Sequence, residues 1–252
     1  MRVLLAVDVG NSQTKLGWFE DEHLRRETQL ATGSRPASAT VSGFLSQTSG
    51  RPTAAVMCSV VPAMTEEWRA ALGSALGAEP LVVQGDSEIG IRNRYAEPQS
   101  LGPDRLVGAL AARELYGAPV IAVSLGTATV VNVVSREGEF LGGAIAPGIE
   151  ASLAALTEKA ARLFPVELGA APRAIATDTR SGMIAGAYFG AVGQIKELLA
   201  RARSEMGEEV RAVLTGGWAE LVAPELSNVA GVEPALTLIG LRLAWDHVSK
   251  SA

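Results

Sequence analysis

The sequence predicts an α/β protein built from two related halves, and three observations carry that reading. The first is a strand-like run, Val3-Leu4-Leu5-Ala6-Val7. It delivers Asp8 and then Gly10-Asn11-Ser12-Gln13-Thr14-Lys15 before turning apolar again at Leu16-Gly17-Trp18-Phe19. The second is that the pattern recurs. Val120-Ile121-Ala122-Val123 opens into Ser124-Leu125-Gly126-Thr127-Ala128-Thr129 and then Val130-Val131-Asn132-Val133-Val134, so Ser124 answers Asp8 at an offset of 116 residues, close to half of the 252. The third is that short apolar runs alternate with segments of helical spacing along the chain. Two unrelated hairpins of ordinary α/β composition are the bland alternative; a true repeat implies two related domains, each offering a phosphate loop to a shared cleft.

Taken in order, residues 3–7 and 14–19 form two strands of a hairpin, and Ser38 to Thr48 has weak helical spacing. Ala54 to Val60 is a buried strand that ends at Pro62. Trp68, Ala71, Leu72 and Leu76 mark one face of a helix from Ala63 to Leu76, with Gly77 as its stop. Leu81-Val82-Val83 is a short strand, Gly85 to Pro98 is irregular, and a helix runs from about Pro103 to Tyr116. The break at Gly117-Ala118-Pro119 divides the chain into domains 1–118 and 119–252.

The second half opens with the repeated hairpin at 120–134. Gly142-Gly143-Ala144-Ile145-Ala146-Pro147-Gly148 reads as a glycine-rich lead-in to a helix from Ile149 to about Leu163. Residues 179–206 read as one long helix or two, with Gly182, Gly186, Gly190 and Gly193 forming a smooth face for another helix, within a subunit or across a dimer. Arg211 to Thr215 is a strand that runs into Gly216-Gly217, and Glu233 to His247 is a closing helix.

Composition bounds the function. Hydrophobic residues make up 48% and charged residues 19%, enough for real cores, and the net charge is −5. No Lys/Arg run occurs, Arg25-Arg26 reading as a solvated turn, so nucleic acid is not expected as a partner. Cys58 is the single cysteine, which rules out disulfides within the chain and suits a cytoplasmic location. His23 and His247 sit in unrelated contexts, so neither a His/Cys zinc site nor a Ser-His-Asp hydrolase has a residue set. The N-terminus lacks the features of a signal peptide, and no apolar run reaches the ~18 residues of a membrane span.

Five clusters carry chemistry. Asp8 at the end of an apolar strand can hold a cation or orient a water, while Gly10, Asn11, Ser12 and Thr14 can bring N–H groups and hydroxyls to a phosphate; a plain tight hairpin is the alternative. Leu101-Gly102-Pro103-Asp104-Arg105 sets a carboxylate and a guanidinium at a helix start, where an anion is favoured and Arg105 can grip a carboxylate. Asp104 also reads as an ordinary first-turn acid. Tyr95-Ala96-Glu97-Pro98 just upstream can wall a small-molecule pocket, and Thr215-Gly216-Gly217 is a turn where a nucleotide can approach backbone. Asp178-Thr179 heads the long helix as a cap or as a ligand contact.

In their order along the chain these segments resemble type III pantothenate kinases, members of the actin-like ATPase and sugar-kinase superfamily. Asp8-Val9-Gly10-Asn11-Ser12 resembles the family's first phosphate motif, Tyr95-x-x-Pro98-x-x-Leu101-Gly102-x-Asp104-Arg105 its pantothenate motif, and Gly126-Thr127-Ala128-Thr129 its second phosphate motif. Gly142-Gly143 through Pro147-Gly148, Thr215-Gly216-Gly217 and Pro234-Ala235-Leu236-Thr237-Leu238-x-Gly240-Leu241 match further stretches.

The resemblance implies two ribonuclease-H-like domains with an interdomain cleft. The first phosphate loop and pantothenate motif would lie in 1–118, the second phosphate loop and adenosine region in 119–252. It implies ATP-dependent phosphorylation of pantothenate to 4'-phosphopantothenate, the first step of coenzyme A biosynthesis, with Mg2+ as cofactor, in a cytoplasmic homodimer that engages neither nucleic acid nor membrane. Asp104 would be the general base, and Arg105 would bind the substrate carboxylate with Tyr95, Gly102, Pro103 and Thr179 in the same pocket. Asp8, Val9, Gly10, Asn11, Ser12, Gln13, Thr14 and Lys15 would cradle ATP phosphates, joined by Gly126, Thr127, Gly216 and Gly217.

The chain departs from the family in three places. Ser124 stands where an aspartate usually binds a monovalent cation (K+ or NH4+), Asn132 stands where its hairpin partner is often aspartate, and Ala176-Thr177-Asp178-Thr179 replaces a Gly-x-Asn-Thr stretch. A catalytically weakened binding or regulatory protein, and a kinase for another small hydroxy acid, are therefore the alternatives to an active pantothenate kinase.

Overall fold

The structure, a computed structural model, describes residues 2–48 and 50–251. Contacts divide it into two compact units, one reaching Leu115 and resuming at Ala235, the other spanning Tyr116–Pro234.

The first unit is built on β1 (Val3–Val9), β2 (Gln13–Glu20), β3 (His23–Ala31), β4 (Ala54–Ser59) and β5 (Leu81–Val83). They form one sheet in the order β3-β2-β1-β4-β5, with β1, β2 and β3 antiparallel and β4 and β5 parallel to β1. Helices α1 (Ala37–Leu45), α2 (Pro62–Leu76) and α3 (Pro103–Tyr116) complete this part of the chain. Alternation along the strands decides what faces what. Leu5, Val7 and Val9 of β1 and Met57 of β4 join Val41 and Phe44 of α1 and Trp68 and Leu72 of α2 in one core, so Leu4, Ala6, Asp8 and Cys58 point to the opposite face. That face positions the candidate site. Gly77 closes α2 in the left-handed conformation (φ 76°), the stop expected from its place after Leu76.

The second unit repeats the topology. β6 (Val120–Leu125), β7 (Ala128–Val134), β8 (Phe140–Pro147), β9 (Arg211–Thr215) and β10 (Val229–Val232) pair in the order β8-β7-β6-β9-β10. β6/β7 thus hold the same places in their sheet as β1/β2 do in theirs, as the repeated hairpin implied. Helices α4 (Ile149–Lys159), α5 (Thr179–Met206) and α6 (Ala219–Val222) belong to this unit. Tyr188, Val192, Ile195 and Leu199 of α5 bury against Ile121, Val123, Leu125, Val131 and Val133.

The last helix, α7 (Leu236–Ser251), packs on β1, β2, β4 and β5 of the first sheet. The sequence division at 118/119 assigned this segment to the second domain, and the packing corrects it. Leu236, Leu238, Leu241 and Ala244 are buried. Gly240 lies so close to α3 that an added Cβ would sit 2.0 Å from the Val107 carbonyl oxygen. Arg2 pairs with Asp246, which also accepts from Arg242 Nη1 at 2.6 Å, and the Arg2 guanidinium lies 4.6 Å from the Trp245 ring centre.

Other expectations need correction. Arg25 and Arg26 lie on the edge strand β3, not in a turn, and Arg25 pairs with Glu20 at 3.2 Å. The glycine-rich segment 142–148 is mostly strand: Gly142 and Gly143 sit in β8, and a Cβ on Gly143 would fall 1.9 Å from the Val131 carbonyl oxygen of β7. The helix after it stops at Lys159, while residues 179–206 form one continuous helix closed by Gly207 at φ 68°. Among the described residues, no helix is long and apolar enough to cross a membrane.

Candidate functional site

The β1–β2 turn is held from inside. Gly10 N donates to Gln13 O at 3.0 Å, and an added Cβ at Gly10 would meet that oxygen at 2.7 Å, so the hairpin itself requires glycine there. Thr32 braces the turn: its N donates to Ser12 O at 3.0 Å and its hydroxyl to Gly10 O at 2.7 Å. With the Thr32 proton so committed, the Thr14 hydroxyl at 2.9 Å is the donor to Thr32 Oγ1. Thr14 is 1% exposed and Val9 is fully buried, so their side chains serve the scaffold and only their backbone can address a ligand. Asn11, Ser12 and Gln13 are exposed at the tip.

The second element is the start of α3. Pro103 occupies its first position and Asp104 its first turn, where free N–H groups and the helix dipole favour negative charge. Gly102 makes room for the acid: a Cβ there would lie 2.6 Å from Asp104 Oδ1. Arg105 is 7% exposed and its Cζ lies 5.5 Å from the centre of the Tyr95 ring, a stacked arrangement that fixes the guanidinium. The loop carrying Tyr95 is ordered by Asn93, whose Oδ1 accepts from Tyr95 N at 2.9 Å while its Nδ2 donates to Gly85 O at 2.8 Å.

Electrostatics link the two elements. Burial and the negative charge of Asp104 push the Asp8 carboxyl from its ordinary 3.8 to about 7, against the opposing pull of Lys15 and of the Cys58 thiol. Lys15 faces Asp8 across the β1–β2 pair, and Cys58, opposite it on β4, donates from Sγ to Asp8 Oδ1 at 3.5 Å. Burial likewise raises Asp104, outweighing the Arg105 N–H and guanidinium that favour its charged form. The structure therefore brings Asp8, Lys15, Gly102, Asp104, Arg105 and Tyr95 into one polar region of the first unit.

In the second unit three glycine segments converge. Gly126 N donates to Ala128 O at 3.1 Å, and Gly148 N donates to Thr127 O at 3.2 Å. A Cβ on Gly148 would fall 2.2 Å from Gly126 O. Gly216 adopts φ 93° and packs on Leu125, where a Cβ would lie 2.4 Å from the carbonyl oxygen. Gly217 and Thr127 are exposed beside this core. Ser124 alternates with the core residues Val123 and Leu125, so it points to the other face of the sheet, where it neighbours Thr215 in register. Asn132 lies on that face too and is 3% exposed. Asp178 is a helix cap: Oδ1 accepts from Ser181 N at 2.9 Å, and these contacts hold its carboxyl below the ordinary range. Thr179 stands exposed at the head of α5.

Sequence reasoning missed Thr32, Asn93 and the role of Cys58 beside Asp8. Only Cys58 had a legible signal: it is the second residue of the pair Asp8↔Cys58 once β1 and β4 are aligned as parallel neighbours.

A divalent cation fits the donor set. Among the described residues no group of three or more His, Cys, Asp or Glu could hold a metal alone. Mg2+, however, is ordinarily held by one or two carboxylates together with nucleotide phosphates and water, and Asp8 is a carboxylate whose charge needs such compensation.

The fold of two five-stranded α/β units is shared by solved structures. It is similar along its length to component A of (R)-2-hydroxyglutaryl-CoA dehydratase from Acidaminococcus fermentans (TM-score 0.59, 14% identity, covering 100% of this chain and 99% of that one). It is also similar to the inorganic polyphosphate/ATP-glucomannokinase of an Arthrobacter species (TM-score 0.53, 14% identity, covering 99% and 100%). The chain belongs to the type III pantothenate kinase family, whose model matches residues 4–201. It is 40% identical to the type III pantothenate kinase of Thermomicrobium roseum over 99% of both chains, and 41% identical to that of a Parafrankia species over 97% of this chain and 98% of that one.

The raised carboxyls have a stability consequence. An acid whose folded pKa exceeds its unfolded one is protonated in the folded state while the unfolded chain has already ionised. Stability conferred by the protonated form therefore falls as pH rises from about 4 to about 7 and levels off above. In nucleotide- and metal-free buffer, the wild-type melting temperature should fall across that window. Asp8→Asn should melt higher than wild type at about pH 8, and the two should converge as the pH falls to about 4 and below. A wild-type melting temperature that climbs through the window would contradict the assignment.

Proposed function

We propose that this chain transfers the γ-phosphoryl group of ATP to the primary hydroxyl of pantothenate, giving 4'-phosphopantothenate in the cytoplasm as the first step of coenzyme A biosynthesis. The observation that carries the reading is the start of α3: a desolvated acid, Asp104, beside a guanidinium held against Tyr95, within electrostatic reach of Asp8 at the end of the first hairpin.

In this mechanism Arg105 binds the carboxylate of pantothenate, and Tyr95, Gly102 and Pro103 wall the pocket. Asp104 takes the proton of the substrate hydroxyl as its oxygen attacks the γ-phosphorus in line, and the bond to the β-γ bridging oxygen breaks to release ADP. Burial serves this role, since a carboxyl raised from its ordinary value is a better proton acceptor than an exposed aspartate. The backbone of the Gly10–Lys15 turn and the Gly126-Thr127 turn bind phosphate oxygens, with Gly216 and Gly217 beside the nucleotide and Thr179 in the pantothenate pocket. Asp8 would hold Mg2+, which when bound neutralises phosphate charge; the remaining demand is positioning. Asp104→Asn should leave ATP binding intact and lower kcat by ~10²-fold or more, as loss of a general base does. Pantothenate-dependent ADP release is the assay, and turnover within a few-fold of wild type would assign the proton elsewhere.

Assembly as a homodimer belongs to the same proposal. Gly182, Gly186, Gly190 and Gly193 are all exposed on α5, and at the last three an added Cβ meets nothing within 4 Å, so a second copy has close backbone access. Light scattering at micromolar concentration should give twice 26.1 kDa, and a monomer with full activity would remove the idea.

Ser124 favours a second reading, weakened turnover, because its hydroxyl, beside Thr215 in register, stands where the family resemblance calls for a carboxylate. A hydroxyl dipole holds a monovalent cation less well than a formal charge. Activity should depend little on potassium in a sodium- and ammonium-free background, and Ser124→Asp should introduce or sharpen that dependence. Strong saturable activation of the wild type by potassium would show that other oxygens complete the site.

A further inference from the structure

We propose that Asn93 is the positioning residue that gives the pocket its preference for a carboxylate; the inference rests on the pantothenate reading above. The groups assigned to the substrate carboxylate come from two separate segments. Tyr95 stands in the irregular stretch after β5, and Arg105 in the first turn of α3. The chain between them holds only a short 3-10 turn, Pro98–Ser100, so connectivity alone does not fix the distance from ring to guanidinium.

Both segments are instead referenced to Gly85, which is buried just beyond β5. On one side its backbone packs against the turn before α3: an added Cβ would lie 2.1 Å from the Leu101 carbonyl oxygen and 2.5 Å from that of Pro98. Leu101 is itself buried, and Arg105 N donates to Gly102 O at 3.1 Å, so the head of α3 follows from this contact. On the other side Ile89 and Ile91 are buried, and the chain folds back after them until the Asn93 amide meets Gly85. Nδ2 donates to Gly85 O at 2.8 Å, and Oδ1 accepts from Tyr95 N at 2.9 Å. A carbonyl only accepts and a backbone N–H only donates, so a side-chain amide satisfies both at once. A carboxylate would oppose Gly85 O, and the single oxygen of a hydroxyl could not reach both. The Tyr95 ring then faces the Arg105 guanidinium, whose Cζ is 5.5 Å from its centre.

The consequence is selectivity. A guanidinium rewards a carboxylate with paired, charge-assisted bonds only while its plane is held; a wandering one acts as a point charge. Tyr95 holds that plane, and Asn93 holds Tyr95. Asp104 is placed by the Leu101–Gly102 turn without Asn93, so the chemical step is spared.

The test compares pantothenate with pantothenyl alcohol, in which a hydroxymethyl group replaces the carboxylate, by calorimetry and in the coupled assay. Asn93→Ala should raise the KM for pantothenate by about 10-fold, the scale of one hydrogen bond to a charged group. It should leave kcat, the KM for ATP and the KM for the alcohol nearly unmoved, so the preference for a carboxylate shrinks. Combining Asn93→Ala with Tyr95→Leu should cost no more than Tyr95→Leu alone, since both act through one contact. Asn93→Ser, which keeps an acceptor for Tyr95 N, guards against Asn93→Ala failing to fold and should lose part of the preference. A folded Asn93 variant that weakens both compounds equally, or losses that add in the double variant, overturns the proposal. So does a wild type that binds both compounds alike, or neither. If the binding preference follows Asn93 while pantothenate releases no ADP, the positioning role stands and the kinase reading falls.

Discussion

The first unit is organised around the mutual repulsion of two poorly solvated carboxylates, Asp8 and Asp104. Each is raised by burial, and Asp8 is raised further by its neighbour. Two such acids cannot both ionise cheaply, so the fold has to supply the geometry that keeps them together. Asp8 is fixed by β1, whose odd-numbered residues are locked into the core with α1 and α2 and so force it to the opposite face. Asp104 is fixed by the first turn of α3, with Gly102 leaving space for its oxygen. Helix α7 completes the arrangement by clamping α3 through Gly240 while resting on β1 and β2. The unit thus invests packing energy in a local electrostatic cost, a pattern expected where charge is to be received from a ligand.

The two units share a topology and diverge in what their turns contain. The first turn is braced by a threonine from the edge strand, Thr32, and presents exposed Asn11, Ser12 and Gln13. The second is braced by glycines from elsewhere in its own unit, Gly148 and Gly216, which approach so closely that no side chain fits. The first turn therefore offers side-chain and backbone groups, the second mainly backbone and Thr127. A duplicated hairpin has been supported by two different physical means.

The legible parts of the fold were those with strong periodicity or punctuation. β1, β2, β4, β6, β7 and α2, α3 and α5 carry apolar runs or helical spacing bounded by Gly or Pro, and sequence reading found them. β3 was missed because His23-Leu24-Arg25-Arg26-Glu27 is an exposed edge, where charges guard against stray pairing and no hydrophobic alternation survives. β8 was missed because Gly142 and Gly143 are poor strand formers, yet only glycine tolerates β7 at that distance. The destination of α7 depends on tertiary packing that its own residues do not announce. In the site, Asp8, Asp104 and Arg105 were legible from their place at element ends. The inward turn of Thr14 was not, since a threonine hydroxyl suits a phosphate as well as it suits Thr32.

The replaced carboxylate at Ser124 bears on how these parts divide the work. The groups that set the protonation of Asp8 and Asp104 are Lys15, Cys58, Arg105 and the two acids themselves, all in the first unit. A neutral residue at 124 removes none of them. Phosphoryl transfer asks the protein for positioning and charge neutralisation, with little covalent chemistry. In the proposed mechanism the proton-accepting step can therefore stay intact while the hold on the phosphates loosens. On the proposed reading the departure at Ser124 is a change in nucleotide affinity and cation use, separable from the chemical step.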